Sequence, residues 1–340
     1  MKKILHLLPS NSFSGAENVV CTIIENNKKY NMYYCCPNGP IENVLLEKKI
    51  KYIPIEKFTP SNVKKICFEN NIDIIHAHDY KASFIAAISG FNGKIISHLH
   101  CNYPFAKRWN LFTFLYNKIS KKFYKVAVVS KSVLEESVFK KNIENKAVVI
   151  SNVVDSNMVK KQAKEKFNKK YDMAFIGRMI EQKNPFIFLD IVSELSKKIP
   201  NIKAVMIGDG EYKDILQKQI NNTSLNNNID IVGFQKNPFK IINNTKIVIM
   251  PSLYEGFGLT AIESMCLNKP VINSGVGGLG TIFKNNSEYI CKNFDEYVTL
   301  CFKLLSNSNL LSKYSKECSK IIKPYIDVQK WEENIYSLYE

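Results

Sequence analysis

Short apolar runs rich in β-branched residues recur along this chain, separated by segments of helical period. That alternation commits it to βαβ units and parallel sheets. In the first half the runs are Ile4–Leu8, Tyr33–Cys36, Lys51–Ile55, Ile72–His76, Lys94–His98, Val126–Val129 and Val148–Ile150. In the second they are Tyr171–Ile176, Lys203–Ile207, Ile229–Val232, Ile247–Met250 and Pro270–Asn273. The pattern pauses over the lysine-rich stretch from Asp155 to Lys170, which divides the chain into two doubly wound, Rossmann-like α/β domains. The division predicted is 1–165 and 166–323, followed by a terminal segment, 324–340, with Trp331, Ile335, Leu338 and Tyr339 at helical spacing.

At 340 residues each domain is large enough to bury its own core. The chain is 45% hydrophobic and 23% charged, which places it among globular proteins rather than disordered ones. No run of about 18 apolar residues offers a membrane span, and Ile4–Leu8 is too short for a signal peptide and reads as a first strand. The nine cysteines include no C-x-x-C pair, so neither a zinc site nor a disulfide framework is expected, and free thiols in a reducing cytosol are. A net charge of +16 attracts any polyanion and by itself names none.

The segment Pro251 to Pro270, PSLYEGFGLTAIESMCLNKP, follows the apolar run Ile247–Met250, so strand, glycine turn and helix come in that order. The first amide N–H groups of a helix lack intrahelical partners and, with the helix dipole, favour phosphate or carboxylate there. Gly256 and Gly258 allow close backbone approach, with Phe257 and Leu259 completing the turn. Glu255 lies in the turn and Glu263 about two helical turns further on, so each carboxylate can serve a different part of one extended ligand.

This EGFGL stretch, with its second glutamate and the K-P-V-I strand that follows, resembles the donor-site signature of retaining GT-B glycosyltransferases of family 4. Further landmarks stand in that family's order: SGAENVV from Ser14, HAHD from His76, ISHLH from Ile96, AVVSKS from Ala127, SNVVD from Ser151, FIGRMIEQKNP from Phe175, IGDGE from Ile207 and VGF from Val232. The resemblance implies two Rossmann-like domains facing each other across a cleft, an acceptor-binding N-terminal domain, a donor-binding C-terminal domain, and a last helix that crosses back to the first.

The chain has no D-x-D motif, so a departing diphosphate needs fixed cations in place of a metal. Arg178 and Lys183 follow the strand that opens the second half, with Asn184 and Pro185 placed as N-cap and first helical residue. The resemblance assigns that arginine and lysine to the diphosphate. It gives Glu263 to the ribose hydroxyls and Glu255 to the sugar ring; Gly208 and Gly210, between strand and helix, read as a second tight turn by the donor. In the N-terminal half it gives Gly15 to a helix start close to the phosphates. It puts His100 beside the reacting sugar, with His98 as the alternative register, since strand alternation points both the same way. HAHD is read as a strand-end turn near the cleft rather than a metal site. The implied reaction keeps the donor's anomeric configuration and has no clear protein nucleophile. It needs no metal and no cofactor beyond its nucleotide-sugar donor, UDP-linked by expectation. The acceptor is expected to be a glycan or lipid-linked glycan, and the setting bacterial capsule or other cell-surface polysaccharide synthesis, with the enzyme cytoplasmic or peripheral on the inner face of the membrane.

From Phe105 to Lys125 the sequence reads as one helix, with Phe105, Trp109, Phe112, Tyr116, Ile119 and Phe123 on one stripe and Lys107, Lys118 and Lys121 on the other side. Aromatic residues among cations suit an anionic lipid surface; a core helix with a basic exterior is the plainer reading. Two positions depart from the family pattern: Asn268 stands where glycine is common, and Thr281 where an acid is. The rival functions are a sugar-nucleotide epimerase, an inactive glycosyltransferase-like partner subunit, and a basic nucleic-acid-binding protein. The paired cations and glutamates disfavour all three, and no nucleic-acid motif is present.

Overall fold

All twelve apolar runs form strands, because β-branched and aromatic residues favour extended backbone and their side chains are taken up on both faces of parallel sheets. The computed structural model describes residues 1–340, Ser224 by its backbone alone. It consists of two units, 1–152 with 329–340, and 153–328.

The first unit carries β1 (Lys3–Leu7), β2 (Asn31–Cys36), β3 (Tyr52–Pro54), β4 (Ile74–His78), β5 (Lys94–Leu99), β6 (Lys125–Val128) and β7 (Ala147–Val149). They form one sheet in the order β3-β2-β1-β4-β5-β6-β7, every pairing parallel. The order reverses between β1 and β4, and in such sheets the crevice beyond the strand ends at the reversal is where ligands bind. β4 runs two residues beyond the expected His76, so His76 and His78 both lie in the strand, fully covered. Asp79 then opens the helix Asp79–Ile88 with φ 65°. The terminal residues belong to this unit: Tyr339 packs edge-on to Tyr30 with ring centres 5.2 Å apart, and its carbonyl accepts from Lys2 Nζ at 3.1 Å.

The segment from Phe105 to Lys125 is not one helix. A 3-10 turn, Pro104–Lys107, ends before Asn110, whose side chain caps the helix Leu111–Ile119 in a reciprocal box with Thr113. That cap resets the helical phase, so the predicted stripe is broken: Tyr116, Ile119 and Phe123 are buried, whereas Trp109 and Phe112 join Leu111 and Phe114 in solvent.

The second unit carries β8 (Tyr171–Ile176), β9 (Ala204–Ile207), β10 (Ile229–Gly233), β11 (Thr245–Met250) and β12 (Val271–Asn273), again wholly parallel, in the order β10-β9-β8-β11-β12. Ile247, Val248 and Ile249 of β11 are fully buried, a contribution of about 1.5–3 kcal/mol apiece by area. This unit starts at 153 rather than 166 because the helix Ser156–Gln162 docks on it. Asn237 Nδ2 donates to the Gln162 carbonyl at 3.0 Å, and Lys240 pairs with Glu165 at 3.3 Å. No helix among the described residues is long and apolar enough to cross a membrane.

Candidate functional site

In the second unit, the loops after β8, β9 and β11 are drawn together by close backbone approach. Gly208, after β9, has φ +139°, and a Cβ there would lie 1.9 Å from the Gly177 carbonyl oxygen. Gly210 stands similarly against the Met179 carbonyl, at 2.6 Å. After β11, Gly258 takes φ +104° to cap the helix Leu259–Cys266, and Gly278 packs against the Phe257 backbone while its N–H donates to the Glu255 carbonyl at 2.9 Å. These contacts hold the turn from Glu255 to Gly258 with amide groups at a helix start, as its sequence predicts. Phe257 itself is buried, edge-on to Tyr325 at 5.4 Å.

Lys183 and Glu255 come from different loops and form an ion pair, both side chains nearly buried. Ser252 Oγ also donates to Glu255, at 3.4 Å. Arg178 is exposed, and its guanidinium donates to Gln182 Oε1 at 3.2 Å. Gln182, absent from the sequence reading, ties the two loops: its Nε2 donates to the Tyr254 carbonyl at 3.1 Å, and its own carbonyl accepts from Leu253 N–H at 2.8 Å. Only its place inside GRMIEQKNP pointed to it. Asn184 occupies the N-cap position in the left-handed region, φ 49°, but its side chain makes no cap bond, so it serves as a turn residue ahead of Pro185. Asn268 takes φ 56° just past its helix, the conformation expected of an asparagine in glycine's place. Glu263 is partly buried on its helix, has no ion-pair partner among the described residues, and burial pushes its carboxyl up to about 7. Leu259 opens the helix, and Thr281 lies in the helix Gly278–Ile282.

In the first unit Gly15 starts the helix Gly15–Asn26, and a Cβ there would meet open space. His98 and His100 point the same way, rings stacked at 4.3 Å. His100 Nε2 lies 2.8 Å from His78 Nδ1, its Nδ1 is buried without a partner, and its backbone N–H donates to Asp79 Oδ1 at 2.9 Å. Burial raises the Asp79 carboxyl to about 7. This histidine neighbourhood was missed as a unit in the sequence; two H-x-H pairs, each on one strand face, were the signal. Of the exposed cations, Lys107 pairs with Glu136 at 2.8 Å, Lys118 lies over the Phe114 ring at 4.7 Å, and Lys121 stands in solvent. All nine cysteines are free and buried.

Residues 157–321 match the family model described as glycosyl transferases group 1, and residues 15–157 match that of glycosyltransferase family 4. An uncharacterised glycosyltransferase of Methanocaldococcus jannaschii is 38% identical over 116 residues, 34% of this chain, and the match spans 29% of that relative's length. The capsular polysaccharide biosynthesis glycosyltransferase CapH of Staphylococcus aureus is 25% identical over 85% of this chain and 83% of its own. The crystal structure of Anabaena HepE with UDP-glucose superposes with a TM-score of 0.86 over 100% of this chain and 99% of its own, at 18% identity. That likeness establishes the fold, two parallel-sheet units of the GT-B kind.

Proposed function

The chain belongs to the group 1 glycosyl transferases, with a family 4 N-terminal part, and we propose on that premise that it moves a hexose or N-acetylhexosamine from a nucleotide sugar to a glycan hydroxyl. The observation that carries this reading is the meeting of Lys183 with Glu255 beside the glycine turn at Gly256 to Gly258. The ion pair parks the lysine until a second anion arrives. A diphosphate reaching the amide groups at Gly258 and Leu259 then shares that cation with Glu255, and Arg178 supplies the other positive charge. As the glycosidic bond breaks, negative charge grows on the leaving phosphate where fixed cations and N–H groups already stand, so the donor half needs no metal of its own. Glu263 accepts from ribose hydroxyls once ionised, and Glu255 steadies positive charge at the anomeric carbon.

Transfer proceeds with retention, the acceptor hydroxyl giving its proton to the departing phosphate. Gly15 and His100 belong to the N-terminal unit that takes the acceptor. HepE, a neighbour of the same fold, is described with UDP-glucose, which supports a UDP-linked donor, and CapH supports a capsular or similar cell-surface polysaccharide as the product. The exposed Trp109, Leu111, Phe112 and Phe114 beside Lys118 and Lys121 support a peripheral seat on anionic lipid, which would present a lipid-linked acceptor. The deciding experiment incubates the protein with a panel of UDP- and GDP-sugars without added divalent metal. Nucleotide release that stops in Lys183→Met and Glu255→Gln sustains the reading; no release from any donor, or release only with added metal, removes it.

A further inference from the structure

Every histidine in the chain, five in 340 residues, lies in one cluster on one face of the first sheet. Register explains the gathering: His6 of β1 pairs with His76 of β4, His78 of β4 pairs with His98 of β5, and His100 follows two residues after His98. The cluster therefore stands at the carboxyl ends of three adjacent strands, where the strand order reverses. Neighbouring rings lie 4.3–5.5 Å apart.

Counting nitrogens exposes a deficit. Three imidazole-to-imidazole contacts, His6 Nδ1 to His78 Nε2 at 3.0 Å, His76 Nε2 to His98 Nδ1 at 3.1 Å and His78 Nδ1 to His100 Nε2 at 2.8 Å, occupy six of the ten ring nitrogens. His76 Nδ1 meets the Tyr339 hydroxyl at 2.9 Å. His6 Nε2, His98 Nε2 and His100 Nδ1 are buried with no partner. Nearly all buried polar groups in folded proteins find partners, so orphans gathered in one cluster point to something the chain itself does not supply; of the three, His98 Nε2 is the one free to serve as a ligand alongside His78 Nδ1 and His100 Nε2. Burial holds all five rings neutral, His6 and His100 down to about 3, and a neutral imidazole is the form that ligates a metal.

We propose that His78, His98 and His100 form a binding site for one divalent transition-metal ion of the zinc class. Ligand nitrogens of these three lie within 4.8 Å of one another. Two imidazoles on one tetrahedral zinc stand about 3.3 Å apart, so the 2.8 Å between His78 and His100 opens by only about half an ångström to admit the ion. His6, His76 and His78 also come within 4.8 Å, but all three are sealed, whereas His100 is partly exposed and gives the second triad its way in. Asp79, whose carboxyl accepts from the His100 backbone N–H, holds that residue's main chain beside the site, and the bond from His78 Nε2 to His6 fixes the orientation of that ligand ring from behind. The ion fixes the ends of β4 and β5 together; the sugar-transfer chemistry of the second unit does not pass through it.

The test uses the full chain without an affinity tag, stripped of metal and titrated with Co2+ and then Zn2+ at micromolar concentration. The expected result is one equivalent bound, with the visible absorption of a tetrahedral nitrogen-ligated cobalt that zinc displaces. His98→Gln should weaken binding at least tenfold, and His6→Gln, which removes only the ring behind His78, should weaken it less. No bound ion in the wild type, a thiolate-to-cobalt band, unchanged binding in His98→Gln, or loss in His6→Gln with retention in His98→Gln each overturns the proposal. If His98→Gln does not fold, the wild-type stoichiometry and spectrum decide alone. Nucleotide release is not among the readouts, so failure here leaves the transfer reading standing, and the reverse holds too.

Discussion

Lys183 and Glu255, 72 residues apart in sequence, are joined by an ion pair that links the loop after β8 to the loop after β11. Their side chains are 15% and 11% exposed, so the pair is mostly shielded from water and removing one partner strands the other charge. Lys183→Met should destabilise the protein by about 2–4 kcal/mol and Glu255→Gln by a similar amount, while the double variant recovers at least half of that loss. Nucleotide release should fall at least a hundredfold in all three. A double-mutant cycle on urea unfolding, run beside the transfer assay, separates the two effects. Strict additivity in stability would show the pair uncoupled.

Glu263 sets a pH dependence whose sign follows from its burial. A carboxyl held near 7 in the folded chain and near 4.5 when unfolded binds its proton more tightly in the folded state. Stability from this group is therefore whole below about pH 4.5 and declines as pH rises to about 7, by a few kcal/mol at most. Glu263→Gln should flatten that part of the stability profile. Donor affinity should move the opposite way in the wild type, tightening as pH passes about 7 and the carboxylate becomes free to accept from ribose; calorimetry with UDP across pH 6 to 8 measures it.

Two glycines separate packing from function. Gly208→Ala drives a methyl to within 1.9 Å of the Gly177 carbonyl in a backbone region that side chains avoid, and should cost roughly 2–4 kcal/mol with a visible fall in Tm. Gly15→Ala meets nothing within 4 Å, so stability should change by less than about 1 kcal/mol. A raised donor KM at unchanged Tm in Gly15→Ala would mark the helix start as a binding element; unchanged kinetics would remove Gly15 from the site.

The exposed aromatic group carries the membrane prediction. Trp109→Ala with Phe112→Ala should lower binding to phosphatidylglycerol vesicles at least tenfold, and so should Lys118→Glu with Lys121→Glu, at about 1 kcal/mol or more per charge. Lys107 is already paired with Glu136, so its reversal should matter less. Equal sedimentation of all variants with these vesicles would end the docking idea.

The strands were legible because each is a short apolar run, most of them rich in β-branched or aromatic residues, and the glycine turn at 256–258 because strand, Gly-x-Gly and helix are contiguous. Where a signal depended on phase it failed. The Asn110 cap restarts the helix at Leu111, and a continuous 3.6-residue count from Phe105 could not see that reset. The start of the second unit was misjudged for a related reason: residues 156–162 look like linker in composition, and only their docking partners make them part of it.

The amino-acid order alone determined the alternation of strand and helix, both doubly wound sheets, and the residue types offered at the donor turn, since these rest on interactions between neighbours in sequence. Tertiary structure alone decided that Lys183 faces Glu255, that Gln182 binds the two loops, and that five histidines on or just beyond three strands gather in one cluster. Those outcomes depend on strand register and loop closure across tens of residues, distances over which local periodicity carries no information.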